Sequence, residues 1–143
     1  MADITFQYKS GLGLTAAYQV SGKPFVTGGL DAQTFPGGGL RVGFPNVTSW
    51  VVVVNNDAAN ACRVGFSQDG VVNENYFTVQ AMADTAPNAV GPLDLKVTEV
   101  WLSGSTDVDI MAGLTYIETG QINNSSVSPS GSNWSGSLGA LVG

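Results

Sequence analysis

Residues 47–54, VTSWVVVV, constrain this chain more than any other stretch. Their β-branched side chains favour extended backbone, and the run is apolar on both parities. A half-exposed antiparallel strand would alternate apolar with polar residues. One face of this strand must therefore fill a core, while the other meets a second sheet, a long loop or another subunit.

The rest of the chain follows the same period, and helical periodicity is nearly absent. Ile4, Phe6 and Tyr8 share one face of a first segment, and Leu14, Ala16, Tyr18 and Val20 continue in phase. Gly22 and Pro24 interrupt that ladder, and residues 27–40, TGGLDAQTFPGGGL, read as an open loop. NNDAAN (55–60) is a turn and ACRVGF the returning strand; QDG at 68–70 turns the chain again, YFTVQAM is a strand and DTAPNAVGP a loop. In LDLKVTEVWLSG, Leu93, Leu95 and Val97 lie on one parity but Val100 and Leu102 on the other. A β-bulge or bend near Thr98-Glu99 would reconcile them. Val108, Ile110, Ala112, Leu114 and Tyr116 then share one face of a final strand. Counting about seven or eight short strands predicts an all-β antiparallel sandwich or jelly roll over residues 1–118. Residues 119–143 form a Ser/Asn/Gly-rich C-terminal arm with isolated apolar anchors, either a floppy tail or a segment that orders on a partner.

Composition excludes several functions. The 143 residues suit one domain. Charged residues are 11% of the chain, against a typical ~25%, which leaves much uncharged surface suited to packing against neighbours. The net charge is -6 and no Lys/Arg cluster exists, so a nucleic-acid partner is not expected. No apolar run approaches membrane-spanning length. The N-terminus, MADITFQYKSG, alternates rather than forming a signal peptide. With no histidine in the chain, Ser and Cys triads and histidine-bearing metal sites are ruled out. Cys62 reads as a buried strand residue. Asp107 and Asp109 fall on the same side of a strand, either as ordinary outward residues or as a weak calcium site without a D-x-D-x-D-G loop to support it. The glycine clusters at 28–29 and 37–39 lack the Lys and helix of a phosphate loop. No enzyme, metal or cofactor is expected. The sequons at Asn46, Asn123, Asn124 and Asn133 read as chance products of composition. Trp50 and Trp101 lie within strands, where they either pack between sheets or stack on a sugar.

The tetrapeptide RVGF occurs twice, at 41–44 and 63–66, and contains both arginines of the chain. Alternation sends Val42, Phe44, Val64 and Phe66 inward, and Arg41 and Arg63 outward, each beside a glycine that leaves room for a close approach. The two copies flank one apolar strand and read as neighbours in one sheet.

Taken together, GFPNVTSWVVVVNND, RVGFS and LDLKVTEVWLSG running into VDIMAGLTYI resemble the capsid cement (decoration) proteins of tailed bacteriophages. The resemblance implies a small homotrimer, or a dimer or monomer, made in the host cytoplasm and seated on the outside of the virion. There it would clamp adjacent copies of the major capsid protein, stabilising the lattice by binding only its assembled form. The implied oligomer interface is Trp50, Val52 and Val54 with Arg41 and Arg63. The implied capsid-contacting arms hold Ile4 and Phe6 at one end of the chain and Trp134, Leu138, Leu141 and Val142 at the other. A carbohydrate-binding, lectin-like module is the alternative of another class, and a head-completion or tail component differs only in partner.

Overall fold

Val51 and Val53 turn inward from a strand that lies inside a sheet, and the architecture is built outward from it. The computed structural model describes residues 22–34 and 39–121. Their strands are β1 (Lys23–Leu30), β2 (Leu40–Gly43), β3 (Thr48–Asn55), β4 (Cys62–Gly65), β5 (Tyr76–Val79), β6 (Ala89–Leu93), β7 (Glu99–Ser103) and β8 (Val108–Leu114). A short helix, α1 (Gln68–Val72), interrupts the path from β4 to β5. The first sheet has the order β1-β8-β3-β6 and the second β2-β7-β4-β5, with every pairing antiparallel. First strand pairs with last, second with seventh, third with sixth and fourth with fifth. This is a long hairpin rolled into two sheets, the jelly-roll form of the β-sandwich.

The core lies between the sheets. Val51, Val53, Val108, Ile110, Ala112 and Leu114 face Val42, Cys62, Val64, Val79, Val100 and Leu102, all buried. Phe44 joins them and meets the Phe25 ring edge to face at 5.1 Å. Each fully buried aliphatic side chain contributes about 1.5–3 kcal/mol, so these two inner faces hold the sandwich together.

Several local expectations change. The parity reversal in LDLKVTEVWLSG is a change of sheet, not a bulge: Leu93 ends β6 in the first sheet, and Val100 and Leu102 lie on β7 in the second. Residues 23–30, expected as a break followed by a loop, form β1, and part of the expected loop at 84–92 forms β6. Both are edge strands, where Pro24 and Pro92 need supply no N–H to a second neighbour. Gln68-Asp69-Gly70 begins α1, capped by the Ser67 hydroxyl on the Gly70 N–H at 2.9 Å, in place of the expected simple turn. Tyr116 leaves the core alternation because β8 ends at Leu114; its side chain is exposed and Ile117 is buried instead. The two RVGF strands do share a sheet, but β7 lies between them and the apolar strand they flank belongs to the other sheet.

Candidate functional site

A sandwich offers two outer faces, and the residues expected to form one interface divide between them. Trp50, Val52 and Val54 alternate with the buried Val51 and Val53, so all three lie half-buried on the outer face of the first sheet. Register extends this face: Met111 pairs with Val52 on one side and Val26 on the other. The result is an apolar row across three strands, in which Val26 is 69% and Met111 43% exposed. Val26 falls between the break at Gly22–Pro24 and the loop expected from residue 27, and Met111 lies off the expected core parity, so local pattern does not join them and only the register does. Asp109, opposite Val54 on this face, is occupied: one oxygen accepts the Gly29 N–H at 3.0 Å and the other Asn56 Nδ2 at 2.7 Å.

Arg41 and Arg63 lie on the opposite side, on the outer face of the second sheet. Arg41 folds over Gly43, where a Cβ would come within 2.8 Å of its guanidinium, and pairs through Nε with Glu99, which lies opposite Gly43 on β7. The Glu99 side chain is only 1% exposed, against 51% for Arg41. Arg63 instead lies over the Tyr76 ring, 4.6 Å from its centroid. Beside it Gly65 makes room for Val71 of α1, whose backbone N and Cβ would lie 3.1 Å from an added Cβ. Trp101 sits between the two copies, opposite Arg41 on one side and Gly65 on the other. It is half-buried, and its enclosed Nε1–H has no partner among the described residues. Trp50 and Trp101 thus occupy opposite faces and cannot form one stacking platform. The proposed arm residues Ile4, Phe6, Trp134, Leu138, Leu141 and Val142 lie outside the described residues.

One polar cluster was legible only as a turn. At one end of the sandwich, Asp57 accepts from the N–H groups of Ala59, Asn60 and Thr106, from Asn60 Nδ2, and from the Thr106 hydroxyl at 2.6 Å. The Thr106 hydroxyl and these backbone donors hold its carboxyl well below the ordinary carboxylate range. Asn55, fully buried, donates to the carbonyls of Asn60, Val79 and Gln80 and accepts from Ser105 Oγ at 2.7 Å. The cluster ties three loops together, and its carboxylate is saturated by the chain's own donors, so we read it as a structural lock.

Nucleophilic chemistry finds little here. Cys62 is buried, and desolvation pushes its thiol up to about 11. Among the described residues no group of three or more His, Cys, Asp or Glu side chains is gathered. The Asn46 sequon is half-buried, with Nδ2 donating to the Ile117 carbonyl at 3.3 Å and Thr48 fully enclosed.

No family model matches the chain, no curated protein is significantly similar to it, and no solved structure matches it.

Proposed function

We propose that this protein is a non-enzymatic structural component of a virion. It seats on the outside of an assembled phage capsid and clamps neighbouring major capsid subunits. The observation that supports the reading is the apolar row Val26–Met111–Val52, with Trp50 and Val54 beside it, on the outer face of the first sheet. Jelly rolls serve both viral capsid and lectin domains, and fold alone decides neither. The faces favour the first: a sheet face with exposed aliphatic side chains, on which Asp109 is already hydrogen-bonded by Gly29 and Asn56, suits a protein surface, whereas the two strand tryptophans are half-buried and back to back. Many such seats on one shell convert modest contacts into strong retention.

Purified protein should co-sediment with assembled capsids of the virus that encodes it and not with unassembled subunits. The double substitution Val26→Asp/Met111→Asp should abolish co-sedimentation while leaving the circular dichroism spectrum and melting curve close to wild type. A wild-type protein that ignores those capsids, or a double variant that still binds them, overturns the reading. Specific binding on a glycan array, lost on replacing Trp50 or Trp101, would put the lectin-like alternative in its place.

A further inference from the structure

We propose that the outer face of the second sheet is where two copies of this chain pair about a two-fold axis. The Arg63 guanidinium of each copy reaches Asp69 and Glu74 of the other. The inference starts from Arg63. It is exposed, its guanidinium lies over the Tyr76 ring, and no carboxylate pairs with it among the described residues, although the chain has a net charge of -6. The contact with the ring uses the face of the ring and leaves guanidinium N–H donors for a carboxylate, which the fork can bind bidentately.

The second part of the argument is where the nearby acids lie. Helix α1 packs on this same face, because Val71 fills the space over Gly65. The helix and the turn after it present Asp69 and Glu74 to solvent, together with Val72, which is 43% exposed. Beside the Arg41–Glu99 pair, this face therefore carries the carboxylate-free cation Arg63, two exposed anions, an exposed aliphatic side chain and the half-buried rings of Tyr76 and Trp101. Arginine, tyrosine and tryptophan are the residue types enriched at interface centres. A face holding both signs of charge is complementary to itself under a two-fold rotation. A head-to-tail ring would place cation and anion on different faces. Two copies that each carry -6 repel over most of their surface, so contact is favoured where opposite charges meet. This pairing deepens the assembly reading and rests on it for its purpose, since a pair doubles the number of seats. It uses the face opposite to the one proposed for the capsid.

Sedimentation velocity on the full chain tests it by charge exchange. Wild-type protein should show a concentration-dependent dimer, weakened about tenfold or more when screening shortens from ~30 Å at low salt to ~3 Å near 1 M. Arg63→Glu and Asp69→Arg/Glu74→Arg should each remain monomeric at concentrations where the wild type pairs. An equimolar mixture of the two variants should form a heterodimer, because each then meets the opposite charge. Should either reversal fail to fold, Arg63→Gln, which removes only the charge, should weaken pairing by about tenfold. A strictly monomeric wild type, undiminished pairing in Arg63→Glu or Arg63→Gln, or a mixture of folded variants that stays monomeric overturns the proposal. Val26→Asp/Met111→Asp keeps the two readings apart. It should still dimerise whatever it does to capsid binding, and loss of dimer there would move the pairing to the first sheet and sink the present inference.

Discussion

In residues 41–44 the arginine bends back over its own glycine and pairs with Glu99, buried in the adjacent strand. In residues 63–66 the arginine lies over Tyr76, and the glycine is covered by Val71 from α1. The inward half of each tetrapeptide behaves alike, with Val42 and Val64 both in the core. The outward half is decided by what lies across the strand: Glu99 opposite Gly43, but Trp101 and Tyr76 opposite Gly65. The same four letters thus give one arginine that neutralises a buried charge and one that shields nothing enclosed. An ionic group matters to stability in proportion to what its removal leaves stranded.

Asp57 sets the upper end of that scale. Removing its carboxylate strands the backbone donors of Ala59, Asn60 and Thr106 and unfastens the loops they belong to. Asp57→Ala should therefore destabilise the domain more than any single change in either RVGF copy, read by urea denaturation at neutral pH. The pH dependence has a definite sign. The folded-state pKa lies below the unfolded value of about 3.9, so the contribution is complete above that value. It fades as pH falls through about 4 towards the folded-state value. Wild type should lose stability across this acid window, and Asp57→Asn should show a shallower loss; equal slopes would remove Asp57 from the account.

Between the arginines, Arg41→Ala should cost about 1–3 kcal/mol, because it takes an ionic partner from the enclosed Glu99 carboxylate although Arg41 itself is half exposed. The same substitution at Arg63 should cost under about 1 kcal/mol. Replacing both partners, Arg41→Met with Glu99→Leu, should return most of the loss, since a well-packed apolar pair often equals a buried ionic one. Equal costs for the two alanines would erase the distinction between the copies.

The glycines sharpen it further. Gly65→Ala presses a methyl against the Val71 backbone, which cannot swing away, and should cost about 1–2 kcal/mol. At Gly43 the obstacle is the mobile end of Arg41, so alanine there should cost less and act by loosening the Glu99 pair. In an Arg41→Ala background the cost of Gly43→Ala should vanish, while that of Gly65→Ala should persist.

How much of this could be read from sequence follows from what each feature depends on. The inner strand β3 was legible as a run of β-branched residues, and β8 because Val108, Ile110, Ala112 and Leu114 alternate about a buried face. Edge strands β1 and β6 were not, since Pro24, Pro92 and their glycines read as breakers, and an edge tolerates what an inner strand forbids. A parity reversal looks the same in one dimension whether a strand bulges or the chain changes sheet, so the passage from Leu93 to Val100 was misread. The candidate surfaces were half legible: alternation placed Arg41 and Arg63 outward, as they lie, but the interface expected to join them with Trp50, Val52 and Val54 divides between opposite faces. Val26 beside Met111, and Arg41 beside Glu99 at 58 residues' remove, depend on register between distant strands, which no local pattern encodes.

The smallest expected effect tests the Arg63 side of the comparison. A guanidinium over an exposed or half-buried ring contributes about 0.5–1 kcal/mol. A double-mutant cycle on Arg63→Ala and Tyr76→Leu, measured on the monomer at high salt, should give a coupling of that order. Leucine keeps apolar cover beside Gly65, so the cycle isolates the face of the ring from its bulk. Arg63→Lys should retain only part of the coupling, because a compact, strongly hydrated ammonium cannot lie flat on the ring as a guanidinium does. A coupling near 3 kcal/mol would mean that Arg63 supports something enclosed after all, and the two tetrapeptides would then be doing the same work.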